Sequence, residues 1–243
     1  MKAMILAAGI GTRLKPLTDE IPKALVPLNG TPMLEHVILK LKNSGFDKII
    51  INVHHFSQHI IDFLKANENF GVQIKISDES GYLLDTGGGI KNVAGFFKGR
   101  EPFLAHNVDI VSDVDLTAMY DAHVKNDPLA TLLVSQRDTS RFLLFNDENS
   151  LCGWRNRETG EVKSFYPDFN PKKYQELAFG GIHVLSPKIF EWMDEWTGKF
   201  SIMDFYLSVC VKTNIQAYQV ENLNFFDAGK PETLAKAEAW LLK

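Results

Sequence analysis

Residues 6–27 read LAAGIGTRLKPLTDEIPKALVP: an apolar run, a glycine loop, then a stretch punctuated by prolines and cations. A buried strand that opens into Gly9 and Gly11 leaves backbone N–H groups free to face an anion, and a phosphate is the natural ligand. Arg13 stands just past the glycines, and the rigid Pro22-Lys23 turn brings a second cation back to the loop. Two cations and a ring of amides complement a polyphosphate. The string is not the dinucleotide fingerprint, because Leu14 occupies the position of its third glycine; nor is it the P-loop, because no Gly-Lys-Ser/Thr follows. A bare G-x-G is more often an ordinary turn, so the weight rests on the whole string.

Outward from this loop, short apolar runs alternate with segments of helical period, the order of an α/β fold with a mainly parallel sheet. Strands are expected at residues 3–8, 48–53, 72–76, 103–108, 130–135 and 215–220. Thr31 is expected to cap a helix that starts at Pro32, carries the apolar stripe Met33, Leu34, Val37, Ile38, Leu41, and ends at Gly45. Further helices are expected over residues 57–64, from the run Thr86-Gly87-Gly88-Gly89 to about Phe97, and from a cap at Asp115 to about Lys125. Others should cover 187–196, 203–211 and 231–242, the last with Leu234, Ala237 and Leu241 on one face. Between these lie short β-like pieces at 142–145, 151–154 and 178–185 with turn-rich spacers, a section expected to cover one end of the sheet.

Composition narrows the partners. Over 243 residues, 45% hydrophobic and 23% charged content exclude a disordered or fibrous chain. Mean hydropathy is −0.11. A net charge of −4 offers no general attraction to nucleic acid or to an anionic membrane, so any bound phosphate must be held by local cations. The N-terminus is apolar only to Ala8, too short for a secretion signal or a membrane span, and Cys152 and Cys210 form no C-x-x-C. A protein of the reducing cytoplasm is expected, without nucleic-acid or membrane partners, as a monomer or homodimer.

The opening string resembles the signature of the sugar-1-phosphate nucleotidyltransferases, a strand followed by G-x-G-T-R-L-x-P-L-T and P-K-x-L-x-P. Gly9, Gly11, Thr12, Arg13, Leu14, Pro16, Leu17, Thr18, Pro22, Lys23, Leu25 and Pro27 fall in register with it, and the resemblance weakens only between about Gln136 and Gln175. It implies a Rossmann-like three-layer nucleotidyltransferase domain with a mixed sheet. It also implies transfer of a nucleoside monophosphate from an NTP to a sugar 1-phosphate, giving an NDP-sugar and pyrophosphate by Mg²⁺-dependent in-line displacement. Ala8, Gly9, Gly11, Thr12, Arg13 and Lys23 would then hold the triphosphate, with Arg13 and Lys23 as the catalytic cations. The residue chemistry agrees, because preorganised cations offset the repulsion between two reacting phosphates. A sugar phosphate, with a second pKa near ~6, is already a dianionic nucleophile at neutral pH.

Other segments extend the resemblance. Thr86, Gly87 and Gly88 match a base-recognition segment, and the T-G-G-G form resembles uridylyltransferases acting on N-acetylmuramate 1-phosphate, with mannose-1-phosphate guanylyltransferase-like members close behind. UTP with an amino-sugar or N-acetylmuramate 1-phosphate is the expected pair; guanylyl transfer to mannose 1-phosphate and phosphocholine-type cytidylyl transfer are the alternatives. Asp109 follows Asn107-Val108 at the carboxyl end of an apolar strand, where open α/β sheets place ligands. With Asp227 of the segment Phe225-Phe226-Asp227-Ala228-Gly229 it supplies the two carboxylates that Mg²⁺ takes beside phosphate oxygens. Val108 stands where the family has Gly, and Lys230 where Thr is common. Gly181 and Asp204 are expected beside the sugar. The family's E-K-P clamp on the sugar phosphate is not visible; Arg141 or Lys163 is the candidate replacement.

Competing readings attach to single motifs. Asp113-Val114-Asp115 spells the D-x-D of metal-dependent glycosyltransferases, although Asp115 also suits a helix cap. His54, His55 and His59 include an i, i+4 pair without the Glu of H-E-x-x-H. A non-catalytic nucleotide-sugar sensor is the rival of another class. Because the signature begins at Leu6 and the second carboxylate is Asp227, one catalytic domain over 1–243 is expected, without the C-terminal β-helix of longer relatives.

Overall fold

The computed structural model describes residues 1–242. β1 (Lys2–Leu6) leads through the glycine loop and three single 3₁₀ turns into a small hairpin, β2 (Pro27–Leu28) and β3 (Thr31–Pro32). There follow α1 (Met33–Asn43), β4 (Lys48–Val53), α2 (Ser57–Ala66), β5 (Gln73–Asp78), α3 (Asp85–Asn92), β6 (Phe103–Asn107), β7 (Ile110–Ser112) and α4 (Leu116–Asn126). The remainder comprises β8 (Ala130–Ser135), β9 (Arg141–Phe145), β10 (Leu151–Asn156), β11 (Val162–Lys163), β12 (Gln175–Leu185), α5 (Ile189–Trp192), α6 (Ile202–Val209), β13 (Ile215–Gln219), β14 (Phe225–Asp227) and α7 (Pro231–Leu241).

The main sheet runs β11-β10-β9-β12-β6-β1-β4-β5; β8 also pairs with β12, and β13 pairs parallel with β8. β5, β4, β1 and β6 are parallel, and β1 and β4 are near-continuous apolar strands because helices cover both faces. Alternation then sorts their side chains between two cores: Ala3 and Ile5 join the one under α1, α2, α4 and α7, whereas Met4 joins the one under α3, α5 and α6. The parallel half ends at β6, where β12 pairs antiparallel, and all strands from β9 to β12 pair antiparallel thereafter. This α/β mixed, mainly parallel architecture is the one expected. No helix among the described residues is long and apolar enough to cross a membrane, and both cysteines are free and buried.

Several local expectations are corrected. Thr31 caps nothing, because it pairs with Leu28 in the β2–β3 hairpin and α1 starts at Met33 without a side-chain cap. The helix expected from the glycine run to about Phe97 divides into α3, which ends at Asn92, and a 3₁₀ turn over Ala94–Phe97; within α3 the absent side chains of Gly87 and Gly88 let Phe200 and Gly198 pack closely. The helix expected over 187–196 is regular only across Ile189–Trp192. Asp115 does cap α4, its carboxylate accepting from the amides of Thr117 and Ala118 at 2.9 and 3.0 Å. Asp113 accepts from both Asn224 nitrogens, so the D-x-D pair is occupied in structural bonds. Neither β7 nor β14 was expected, since three-residue strands carry too little pattern to read.

Candidate active site

The glycine loop is a locked device. Gly11 adopts φ +74°, which an L side chain disfavours, and a Cβ there would lie 2.9 Å from Lys23 Cβ and from Thr18 Cγ2. Thr18 Oγ1 donates to the Gly11 carbonyl at 2.8 Å, and the Leu14 amide donates to the same oxygen at 2.9 Å. Closure of the loop on itself returns Lys23 to the carboxyl end of the sheet, where its ammonium pairs with Asp109 Oδ2. Both side chains are only 12% exposed, so the pair is desolvated and well placed.

Asp227 arrives by a different route. β14 pairs antiparallel with β7, setting Asp227 opposite Ile110, and the Ala228 amide donates to the Asp109 carbonyl at 2.8 Å. Arg13 Nη2 lies 3.9 Å from Asp227 Oδ1. Three of these groups meet at Gly229, where a Cβ would fall 2.8 Å from each of Arg13 Nη2, Asp109 Oδ2 and Asp227 Oδ1, and Lys23 joins them through its pairing with Asp109. Only a residue without a side chain leaves this space, and the Gly229 amide additionally holds Asp227 Oδ1 at 3.0 Å.

Two cavities and a charged groove surround that point. One cavity of about 310 Å³ is lined by Ala8, Gly9, Lys23, Thr86, Asn107 and Asp109 from the expected set, together with Leu83, Glu79 and Lys199. The second, of about 530 Å³, lies under the antiparallel half; it contains Arg141 and Asp204, and its walls include Trp154, Lys163, Phe179 and Arg137. The groove joins Arg13 and Asp227 to Arg137, Arg141 and Lys230. Gly11, Thr12, Gly87, Gly88 and Gly181 shape backbone instead of lining a cavity; Gly181, at φ +68°, lies beneath the Asn107 side chain at a β12 irregularity. Thr86 Oγ1 accepts from the Ile202 amide at 3.0 Å, tying the two cavity walls together.

Charge in the second cavity is mixed. Lys163 Nζ lies 3.8 Å from Asp204 Oδ1 and 5.3 Å from the Trp154 ring centroid, placing a cation, a carboxylate and an aromatic face within one wall. Residues missed in the sequence fall into two kinds. Gly229 stood in a quoted segment but was not assigned a role, whereas Lys199, Glu79, Trp154 and Arg137 carry no local signal. Glu79 is buried, accepting from Asn52 Nδ2 at 2.8 Å and the Leu84 amide at 3.1 Å, and so stiffens the floor of the smaller cavity.

The donor set fits magnesium. Asp109 and Asp227 each present an oxygen to one space that a methyl group would fill, and Mg²⁺ characteristically takes one or two carboxylates and completes its shell with phosphate oxygens and water. Among the described residues no group of three or more His, Cys, Asp or Glu is placed to hold a metal ion.

Comparison with known proteins agrees with the geometry. The family model described as nucleotidyl transferase matches residues 2–243. The chain is 30% identical over 250 residues to an N-acetylmuramate alpha-1-phosphate uridylyltransferase of Caulobacter vibrioides, covering 98% of this chain and 96% of that protein. It is 36% identical over 209 residues to a UTP–glucose-1-phosphate uridylyltransferase of Synechocystis sp.; that match covers 79% of this chain and about half, 51%, of the longer relative. The solved structure of HddC from Yersinia pseudotuberculosis complexed with GMP-PN superposes with a TM-score of 0.78 at 24% identity, covering 99% of each chain, which establishes the common fold. The chain belongs to the nucleotidyl transferase family, and within it to the sugar-1-phosphate nucleotidyltransferases.

Proposed function

We propose that the chain, acting as one domain over residues 1–243 in the cytoplasm, converts UTP and N-acetylmuramate 1-phosphate, or another amino-sugar 1-phosphate, to the UDP-sugar and pyrophosphate. The convergence of Arg13, Asp109 and Asp227 on the space at Gly229, with Lys23 paired to Asp109, carries this reading. An oxygen of the sugar phosphate attacks the α-phosphorus, a new P–O bond forms, and the bond to the β-phosphate oxygen breaks with its electron pair leaving on pyrophosphate. Arg13 and the loop amides hold the triphosphate, and Lys23 neutralises charge near the α-phosphate. Lys23 must first exchange its pairing with Asp109 for one with phosphate, a short movement for a flexible ammonium. Mg²⁺, held by Asp109 and Asp227, would supply further neutralisation of the phosphate oxygens. No general base is required, since the acceptor is already ionised.

The relative from Caulobacter supports the pair by its name, and the second cavity suits an amino sugar by offering Trp154 for the ring face and charged groups for polar substituents. Guanylyl transfer to mannose 1-phosphate is the second reading. A matrix of the four NTPs against N-acetylmuramate, N-acetylglucosamine, glucose and mannose 1-phosphates, read by pyrophosphate release, tests both. Highest kcat/KM with UTP and N-acetylmuramate 1-phosphate is expected; a maximum with GTP and mannose 1-phosphate selects the second reading, and binding without release identifies a sensor.

A further inference from the structure

Arg137, Thr139 and Arg141 line both the larger cavity and the charged groove that leads to Arg13 and Asp227. Of these, Arg137 alone is fixed from two sides. It sits just beyond the end of β8, and its guanidinium stacks on Phe225 with Cζ 4.5 Å from the ring centroid. Nη2 donates to the Phe179 carbonyl at 2.8 Å, its one hydrogen bond among the described residues. Phe225 belongs to β14, the strand that delivers Asp227, whereas Phe179 belongs to β12, beside the sugar cavity. One planar cation is therefore braced between the element carrying a metal carboxylate and the element flanking the sugar.

That brace leaves most of the donors unused. Nε is buried without a partner, and burial disfavours the charge while Asp227 favours it. A guanidinium remains charged under such conditions, and holding it half-desolvated with unmatched donors is unfavourable unless a ligand completes it. A planar fork of N–H donors pairs bidentately with a phosphate or a carboxylate, and in the groove that Arg137 shares with Arg13 and Asp227 the oxyanion to be held is the acceptor phosphate. Arg141, by contrast, is exposed and none of its guanidinium nitrogens has a hydrogen-bond partner among the described residues, so its side chain would have to be ordered on binding.

Resting on the proposed reaction, we infer that Arg137 is the residue that holds the acceptor phosphate, where the sugar cavity opens into the groove beside Arg13 and Asp227. Its position lets one cation bind the attacking group and face the transferred phosphate, so its loss should affect the acceptor and spare the nucleotide.

The test compares R137Q, R137K and R141Q, using the substrate pair that gives the highest turnover in the matrix above. R137Q is expected to raise the KM for sugar phosphate by about tenfold or more and to lower kcat, with the KM for NTP within about twofold of the parent. R141Q should raise the sugar-phosphate KM by about threefold at most. If R137Q does not fold, R137K carries the comparison: it keeps the charge but loses the fork and the stack, and the sugar-phosphate KM should still rise by about threefold. An independent arm titrates inorganic phosphate calorimetrically into nucleotide-free protein, where R137Q should bind about tenfold more weakly than the parent. Unchanged sugar-phosphate KM in R137Q, or equal rises in both KMs, overturns the assignment. If no pair is turned over, the proposed reaction fails and the phosphate titration alone decides Arg137, parent-like binding by R137Q refuting it.

Discussion

The two halves of the cleft are built on opposite plans. The nucleotide side hangs on parallel strands β1, β4 and β6, and its loop from Gly9 to Lys23 is continuous in sequence and closed by its own hydrogen bonds. The sugar side draws Arg137, Trp154, Lys163, Phe179 and Asp204 from separate segments over antiparallel strands and α6. An anion held by backbone amides and adjacent cations demands a local arrangement, so one segment can supply it. A polar sugar is recognised by side chains gathered from a distance, and any of several scaffolds can present them. In the proposed reaction the grip on the triphosphate would sit in the contiguous loop, and the contacts that discriminate sugars in the assembled half.

Variants can break or sharpen this contrast. The largest effect is expected from D109N, which should lower kcat by roughly 10²–10³-fold in protein that remains folded, with some loss of melting temperature from the unpaired Lys23, as read by pyrophosphate release and thermal unfolding. A near-parent rate would remove Asp109 from the chemistry. G229A places a methyl 2.8 Å from Arg13, Asp109 and Asp227, and a displacement of that order should cost about 10²-fold in kcat for every substrate pair tested. If the loss followed the identity of the sugar, the division between common and discriminating halves would fail. W154A should act only on the sugar side, raising the sugar-phosphate KM by about tenfold with the KM for NTP unchanged, which initial-rate measurements can separate.

The seam between the halves has its own signature. β6 and β12 bury His106, opposite Ile182, and His183, opposite Ala105, so the two rings fall on opposite faces of the sheet, with burial lowering their pKa values to about 4 and about 3. Nδ1 of His106 donates to the Asn107 carbonyl at 2.8 Å while its Nε2 has no partner; Nδ1 of His183 lies 2.6 Å from the Tyr206 hydroxyl. The folded pKa values lie below the unfolded value near 6.5, so the unfolded chain takes up protons first as pH falls. Unfolding free energy should therefore be level in these two groups above pH ~6.5 and decline below it, by about 1.4 kcal/mol per pH unit for each histidine. H183Q, which cannot take that proton, should remove one such share from the slope between pH ~6.5 and ~4 in denaturant titrations. A slope equal to the parent's would show that His183 does not report on the seam.

Legibility followed the same division. The first strand and the glycine loop were readable from local pattern, and Arg13, Lys23, Asp109 and Asp227, each singled out by its own segment, lie together in the structure. Asp115 was readable as a cap for the same reason: the side chain serves amides only two and three residues away. Thr31 misled because a capping residue before an apolar stripe also fits a tight hairpin, and its pairing with Leu28 prevailed. The glycine run was read as the start of a helix, and α3 contains it, but the reason for glycine there was not legible. Its missing side chains admit Phe200 and Gly198 against α3, a packing requirement set more than a hundred residues away in the chain.

By itself the sequence determined the family and the parallel α/β half, and it singled out the cations and carboxylates proposed for the reaction, because hydrophobic period and the phosphate loop are encoded over short stretches. Only the tertiary structure decided that Asp227 meets Asp109 through the β7–β14 pair, that Gly229 keeps their common space open, and that Arg137 is braced between Phe225 and Phe179. Those relations join residues distant in the chain, and the spacing of residues along a sequence does not carry the distances between strands that meet only when the core closes.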